Sequence, residues 1–356
     1  MNVLITGGAG FIGCNLADYH LRRGDGVVIF DNLSRKGTDS NLAWLRSLHG
    51  DRLTFVQGDI RDFEAMLGSM SDDLERVYHM AGQVAVTTSV KDPREDFEIN
   101  ALGTFNLLEA VRQRAPQAIV LFASTNKVYG GIENLAVAEG ETRYYYQDHP
   151  FGVPEDQLLD FHSPYGCSKG CGDQYVRDYA RIYGLKTVVM RQSCIYGTRQ
   201  LGVEDQGWVA HFCIAARYGR PLRIYGNGKQ VRDVLWIDDL IDAYEMAATH
   251  IDVTSGQVYN IGGGPENTIS IWAEFGPLLE ELAGHHIPVT YEDWRPGDQV
   301  AYISDIRKAE QAFGWRPQVS MVEGVTRLWQ WIEENPALFA QPEYAASGMV
   351  EHRNGA

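Results

Sequence analysis

The sequence predicts an α/β fold: a Rossmann-type, doubly wound parallel sheet followed by a smaller C-terminal substrate-binding lobe. Three features lead there. Short runs rich in Val, Ile and Leu alternate with helix-length segments from the first residue. The turn after the first run, "ITGGAGFIG", carries three regularly spaced glycines. Past residue 130 the alternation gives way to a long connection and then to turns such as Gly226-Asn227-Gly228 and Gly262-Gly263-Gly264-Pro265.

Taken in order, strands are expected at Asn2–Thr6, Val27–Asp31, Leu53–Gln57, Val77–Met80 and Ala118–Ala123. Each is short and rich in Val, Ile and Leu, as strands covered on both faces are. Between them Phe11–Arg23 and Phe97–Arg114 carry helical periodicity. Residues 131–162, with Tyr144-Tyr145-Tyr146 and Pro150, are too long for an ordinary loop, so a lid or a subunit contact is expected there. The tyrosines read best as packing that holds this segment down. The expected division is residues 1–194 for a dinucleotide-binding domain, 195–340 mainly for substrate and 341–356 as a flexible tail. One element of the second lobe should cross back to the first.

At 356 residues the chain can bury a large core, and 44% hydrophobic with 22% charged residues is a globular composition. Thirty-one Lys+Arg against 47 Asp+Glu give a formal charge of −16, which argues against nucleic acid or an anionic membrane as a partner. A small anion would need only a local cluster of arginines. The five cysteines are odd in number and form no metal-type cluster, so reduced thiols, a cytoplasmic setting and no metal are expected. No 18-residue apolar stretch occurs.

The glycine turn is a dinucleotide signal because its context is complete. Gly7, Gly10 and Gly13 follow a strand and open a helix, and Asp31 ends the next strand 18 positions after Gly13. Gly7 permits the turn, Gly10 admits a pyrophosphate close to the backbone and Gly13 lets helix and strand pack. The helix N-terminus, with Phe11 and Ile12, offers amides and a partial positive charge. Asp31 suits the ribose hydroxyls of NAD, while Arg35 leaves NADP open. Asp59 and Ile60 after the third strand reach an adenine. Asn32, Ser34, Ala81, Gly82, Gln83 and Ser193 complete the candidate cofactor contacts.

A second motif, "SPYGCSKG", supplies chemistry. Ser163 suits an N-cap and Pro164 the first helical position. Tyr165 and Lys169 then share one helix face. Gly166, Gly170 and Gly172 cost about 1 kcal/mol each relative to Ala, which makes sense if this helix lies close to other backbone or a cofactor. A Lys169 ammonium beside a cationic nicotinamide would lower the Tyr165 pKa, and the phenolate could take a proton from a sugar hydroxyl that Thr125 holds in line.

The glycine triplet, the Thr at the end of the fifth strand and Tyr-x-x-x-Lys resemble the extended short-chain dehydrogenase/reductases that act on nucleotide sugars, from residue 1 to about 335. The resemblance includes "INALGTFNLLEA", "VRDVLWIDDL" and "RPGDQ". It implies that Asn100 supports the active-site helix and joins the cofactor site, and that Arg232 and Arg295 bind a substrate diphosphate. Relatives that dehydrate the sugar carry Asp-Glu after the Thr; here Asn126 and Lys127 stand there, which disfavours a dehydratase. "STNKVYG", "LDFHSPYGCSKG", "YARIYGL" and "EDQGWV" look like the CDP-paratose 2-epimerase (CDP-tyvelose epimerase) branch. That implies tightly held NAD, transient oxidation at carbon 2 and a CDP-sugar substrate, with a carbon-4 epimerase as the alternative. A sensor that binds NAD without turnover is the remote one. Substrate contacts are expected from Asn126, Lys127, Cys194, Gln206, Gly207, Tyr225, Arg232 and Arg295. Cys194 replaces an Asn and Gly82 an Ala that are usual in relatives. Homodimers or homotetramers are expected.

Overall fold

The computed structural model describes residues 1–295 and 298–340. The expected tail, 341–356, and Pro296-Gly297 of "RPGDQ" lie outside the described residues. Seven parallel strands form the main sheet: β1 (Asn2–Thr6), β2 (Gly26–Asp31), β3 (Leu53–Gln57), β4 (Arg76–His79), β5 (Ile119–Thr125), β6 (Lys186–Gln192) and β7 (Gln257–Ile261). Their order is β7-β6-β5-β4-β1-β2-β3. The order reverses between β1 and β4, and ligands of such sheets bind at the carboxyl ends of that switch.

Both faces of the sheet are buried, which is why its strands lack polar alternation. Val3, Ile5, Ile29, Tyr78, Leu121 and Met190 enter one core. Leu4, Phe30, Val77, Val120, Phe122 and Val189 enter the other, as a side-chain period of two requires. Helices α1 (Phe11–Arg22) and α2 (Thr38–His49) cover the first face, and α3 (Gly103–Arg114) and α4 (Ser163–Tyr183) the second.

The expected helix Phe97–Arg114 proves to be three pieces. A short helix, Pro93–Phe97, leads into a π-helical turn, Glu98–Leu102, and then into α3. The turn brings Asn100 inward, and Gly103 follows where a Cβ would stand 2.5 Å from Ile60 Cδ1.

The 131–162 connection, too long for an ordinary loop, has structure of its own. Val137–Glu139 and Tyr144–Tyr146 form an antiparallel hairpin. Ile132, Leu135, Tyr146 and Val153 pack with Val231 and Tyr302 as a third core. Tyr146 donates its hydroxyl hydrogen to Ala301 O at 2.8 Å, Tyr144 accepts from Asn227 Nδ2, and Tyr145 is exposed.

The later half of the chain interleaves with the sheet. Helix α5 (Trp208–Arg217) comes next, α6 (Ile237–Thr249) packs beside α1, and β7 pairs with β6 at the edge of the main sheet. Helices α7 (Arg307–Phe313) and α8 (Met321–Glu334) follow, the latter against α5. Small ladders join Leu222–Tyr225 to Val289–Glu292, and Val231–Asp233 to Thr268–Ser270 and Ala301–Tyr302. No described helix is long and apolar enough to cross a membrane.

Candidate active site

The glycines form a cradle that other residues would fill. Gly7 has φ 66°, and a Cβ there would lie 2.6 Å from Ala81 N, so the loops after β1 and β4 meet. On Gly13 a Cβ would fall 2.2 Å from Gly7 O. Gly10 caps α1 with extended backbone and no side-chain cap, which leaves the first-turn amides of Phe11 and Ile12 facing the cleft as donors for an anion. Asp31 accepts from Ala9 N at 3.0 Å and Leu33 N at 2.8 Å, and its burial raises its pKa. One further lone pair on each oxygen suits a diol. Asn32 donates to Asp59 and accepts from Ser34 N, while Arg61 holds the Asp59 carboxyl down at about 2. Ile60 is buried and Arg35 exposed beside Gly10 and Phe11. These donors and acceptors fit a dinucleotide.

Helix α4 brings the second motif to the end of β5. Ser163, at φ 67°, turns the chain into it, and its Oγ accepts from Gly166 N at 3.2 Å, the cap bond expected of it. The three glycines lie where close approach requires them: a Cβ would stand 3.2 Å from Lys127 O on Gly166, 2.5 Å from the Phe161 ring on Gly170 and 3.1 Å from Phe122 on Gly172. Tyr165, Lys169 and Thr125 are all buried.

Burial dominates the electrostatics of this pair. Burial pushes the Tyr165 phenol up to about 12; a hydrogen bond from Thr125 opposes that, the Asp96 carboxylate adds to it and Arg35 lowers it. Lys169 is not among the groups that lower it. Its Nζ donates to Ala123 O at 2.5 Å and rests 4.3 Å from the centre of the Phe122 ring. A buried carbonyl at the sheet edge captures the ammonium. Burial lowers the Lys169 pKa to about 8, against the pull of Asp173 and Asp96.

Behind this pair stands a polar brace centred on Asn100, the residue expected to support this helix, with Asp96 and Ser168 as partners that the sequence did not reveal. Asn100 accepts from Gln83 N at 2.9 Å and donates to Gln83 O, Asp96 and Ser168. Ser168 also donates to Asp96, which accepts from Gln83 Nε2. Gly82 lies inside this corner, where a Cβ would be 3.0 Å from Asn100 Oδ1. On the other side Arg191 meets Asp173 through two bonds, 2.9 and 3.0 Å, and Ser124 donates to the same carboxylate at 2.8 Å. The signal was present only as buried-type positions of polar residues far apart in the chain.

The expected substrate residues divide into two groups. Arg232 is bound to Asp298 at 2.7 Å, with Lys127 close by; Lys127 Nζ lies 3.4 Å from Gln299 Oε1, and burial with Arg232 beside it lowers its pKa to about 8. Asn126 is buried and accepts from Thr125 Oγ1 at 3.3 Å. Cys194 joins this group at φ 37°, a left-handed position, with Trp208 Nε1 donating to its sulfur at 3.5 Å. Arg295 stacks on Tyr225, 3.9 Å from the ring centre, and pairs with Asp205 at 3.2 Å. Gly207 has φ 73° and caps α5.

Two expected residues make further contacts. Gln206 lines the same recess as Gly10, Arg35 and Arg199, where residues 199–202 lie against the glycine turn. Ser193, expected at the cofactor, donates its hydroxyl to Asp233 Oδ1 at 2.6 Å and is fully buried. The carboxylate of Asp233, itself buried, captures it.

Comparison with known proteins follows this geometry. The chain is 47% identical over 337 residues to CDP-paratose 2-epimerase of Salmonella typhi, covering 93% of this chain and 99% of that one. It is 32% identical over 333 residues to a putative UDP-glucose 4-epimerase of Methanocaldococcus jannaschii, covering 94% and 99%. The structure of DesIV, a dTDP-glucose 4,6-dehydratase from Streptomyces venezuelae solved with NAD and TYD, superposes with a TM-score of 0.81 at 29% identity over 95% and 98% of the two chains. The model of the family described as GDP-mannose 4,6 dehydratase matches residues 4–328, and the chain belongs to that family, within the extended short-chain dehydrogenase/reductases.

Proposed function

We propose that this chain is a nucleotide-sugar epimerase that inverts carbon 2 of a CDP-linked deoxysugar, CDP-paratose to CDP-tyvelose, with NAD held tightly through every turnover. The observation that carries the reading is the 47% identity over 93% of the chain with a CDP-paratose 2-epimerase. The local chemistry agrees with it. Thr125, Tyr165 and Lys169 converge at the sheet edge, and neither residue after Thr125 is the carboxylic acid or carboxylate that eliminating water would need.

NAD supplies the reversible oxidation of the sugar carbon. The chain supplies the rest. Thr125 holds the carbon-2 oxygen, Tyr165 accepts its proton and later returns one, and Lys169 keeps positive charge at that end of the cleft. Asn126 and Lys127 lie next to the Thr125 oxygen and meet the sugar. Arg232 and Arg295 exchange their present carboxylate partners for the substrate diphosphate, with Tyr225, Cys194 and Gly207 shaping the nucleotide end. Gly7, Gly10, Gly13, Asp31 and Asp59 hold the cofactor, with Gln206 closing over it. On this reading residues 1–194 serve mainly the cofactor and 195–340 mainly the substrate.

We further assign the apolar strip on α3, α4 and the turn before α3 to a homodimer contact. Phe97, Leu102, Phe105, Tyr175, Ile182 and Tyr183 are exposed there, and the Phe105 and Tyr175 rings pack edge to face at 5.9 Å across the two helices. Five free thiols suit a reducing cytoplasm.

The test uses protein as purified, without added NAD, incubated with CDP-paratose and followed by proton NMR. CDP-tyvelose should appear, and deuterium at carbon 2 should slow its appearance while deuterium at carbon 4 does not. An isotope effect at carbon 4 alone would instead establish a 4-epimerase.

A further inference from the structure

Away from the cleft, a cavity of about 620 Å³ opens beside the edge strand β7, within the range of about 300–1,000 Å³ common for small-ligand sites. Arg177 of α4, Arg191 of β6, and Arg307 and Lys308 of α7 all line it, a gathering of cations in a chain of formal charge −16. Two of them are already answered. Arg191 is held by Asp173, and Arg307 by Asp305 at 2.6 Å. Glu155, also on the wall, directs its carboxylate to Asn260 N at 2.8 Å.

Arg177 and Lys308 are different. The Arg177 Nε is buried with no hydrogen-bond partner among the described residues, and its Nη1 is as far as 3.5 Å from Gln174 Oε1. Lys308 Nζ donates one hydrogen to Val258 O at 2.7 Å and, among the described residues, has no carboxylate within 4.0 Å. Burial comes first in lowering the pKa of both; repulsion from neighbouring arginines adds to it, against the attraction of Asp173 for Arg177 and of Glu155 for Lys308. A buried guanidinium Nε with no partner among the described residues and an ammonium with no carboxylate in ion-pair contact face one ligand-sized space, and each can take a further acceptor.

We infer that this cavity is a second binding site, distinct from the catalytic cleft, for a small oxyanion: inorganic phosphate or a phosphorylated metabolite gripped between Arg177 and Lys308. A short chain of hydrogen bonds joins its wall to the catalytic end of β5. Its wall residue Arg191 binds Asp173, and Asp173 accepts from Ser124, the neighbour of Thr125.

The test is a thermal-shift titration of the purified protein with inorganic phosphate, against sodium chloride at the same ionic strength. Phosphate should raise the Tm beyond chloride in the wild type and in Arg232→Gln, which alters only the substrate cleft. The rise should vanish in Arg177→Gln and Lys308→Gln. Gln311→Glu, which sets a carboxylate on the exposed rim without removing a contact, should abolish it too. A phosphate effect no larger than that of chloride, with CDP giving no rise that depends on the cavity variants, overturns the inference. So does a rise lost in Arg232→Gln but kept in the three cavity variants. If phosphate is inert and CDP alone gives the rise, with the same dependence on the cavity variants, the site stands and its ligand is the nucleotide form.

Discussion

Two lysines end β5's active edge with pKa values that burial has brought down to about 8, and one of them shows what function costs in stability. Lys169 must be charged near neutral pH to serve the cleft, yet the folded protein buries it. A shift from 10.5 to about 8 corresponds to on the order of 3 kcal/mol, partly offset by its bond to Ala123 O and its contact over Phe122. Lys169→Met should therefore lose turnover while gaining about 1–2 kcal/mol at pH 7. The sign follows from proton counts. Below pH 8 the wild type carries the full burial cost. From about 8 to 10.5 the folded chain has released a proton that the unfolded chain keeps, so wild-type stability rises and the gap should close. Denaturation at pH 7 and pH 10 checks this, and a variant less stable at both would refute it. Tyr165→Phe is the companion prediction. It should keep the fold and bound NAD, measured by release on denaturation, and lose about 10²–10⁴ in kcat.

At the scale of elements, the π-helical turn before α3 decides how α4 is held. One residue, Asn100, binds the loop after β4 and the middle of α4 together, and a regular helix would have carried its side chain round to another face. Asn100→Ala leaves Gln83 N–H and Ser168 without this partner, so a loss of about 2–3 kcal/mol and a lower kcat are expected. Gly82→Ala should act in the same direction more weakly, because the 3.0 Å approach forces Asn100 aside by a few tenths of an ångström. Urea denaturation with parallel kinetics would measure both. If Asn100→Ala lowered stability and left kcat untouched, the turn would brace the fold and not the active site. The 131–162 segment teaches a related lesson. Its hairpin is anchored by Tyr146 and Val153 on strands that come more than 80 residues later.

At the scale of the whole molecule, late segments of the chain complete the sheet and its cover, since β7 pairs with β6 and α6 packs on α1. The exposed strip on α3 and α4 should pair with a second copy. Phe105→Glu is expected to shift the protein from dimer to monomer in light scattering, with its secondary structure intact. An unchanged mass would remove that strip from the interface.

How much of this was legible beforehand depended on distance along the chain. Gly7, Gly10, Gly13 and Asp31, like Tyr165 and Lys169, announce themselves because a turn, a strand end or one helix face sets their geometry within a few residues. Strand positions were legible for the same reason, since a strand buried on both faces must be apolar at each step. The sequence by itself determined five of the seven strands, the glycine turn and the placing of Tyr165 and Lys169 on one helix face. Only the tertiary structure decided that Lys169 turns to Ala123 O and not to Tyr165, that Ser193 is captured by Asp233, and that Asp96, Asn100 and Ser168 form one brace. Each of those is a contest among polar partners from distant segments, settled by which acceptor the fold buries nearest, and no local pattern records that distance.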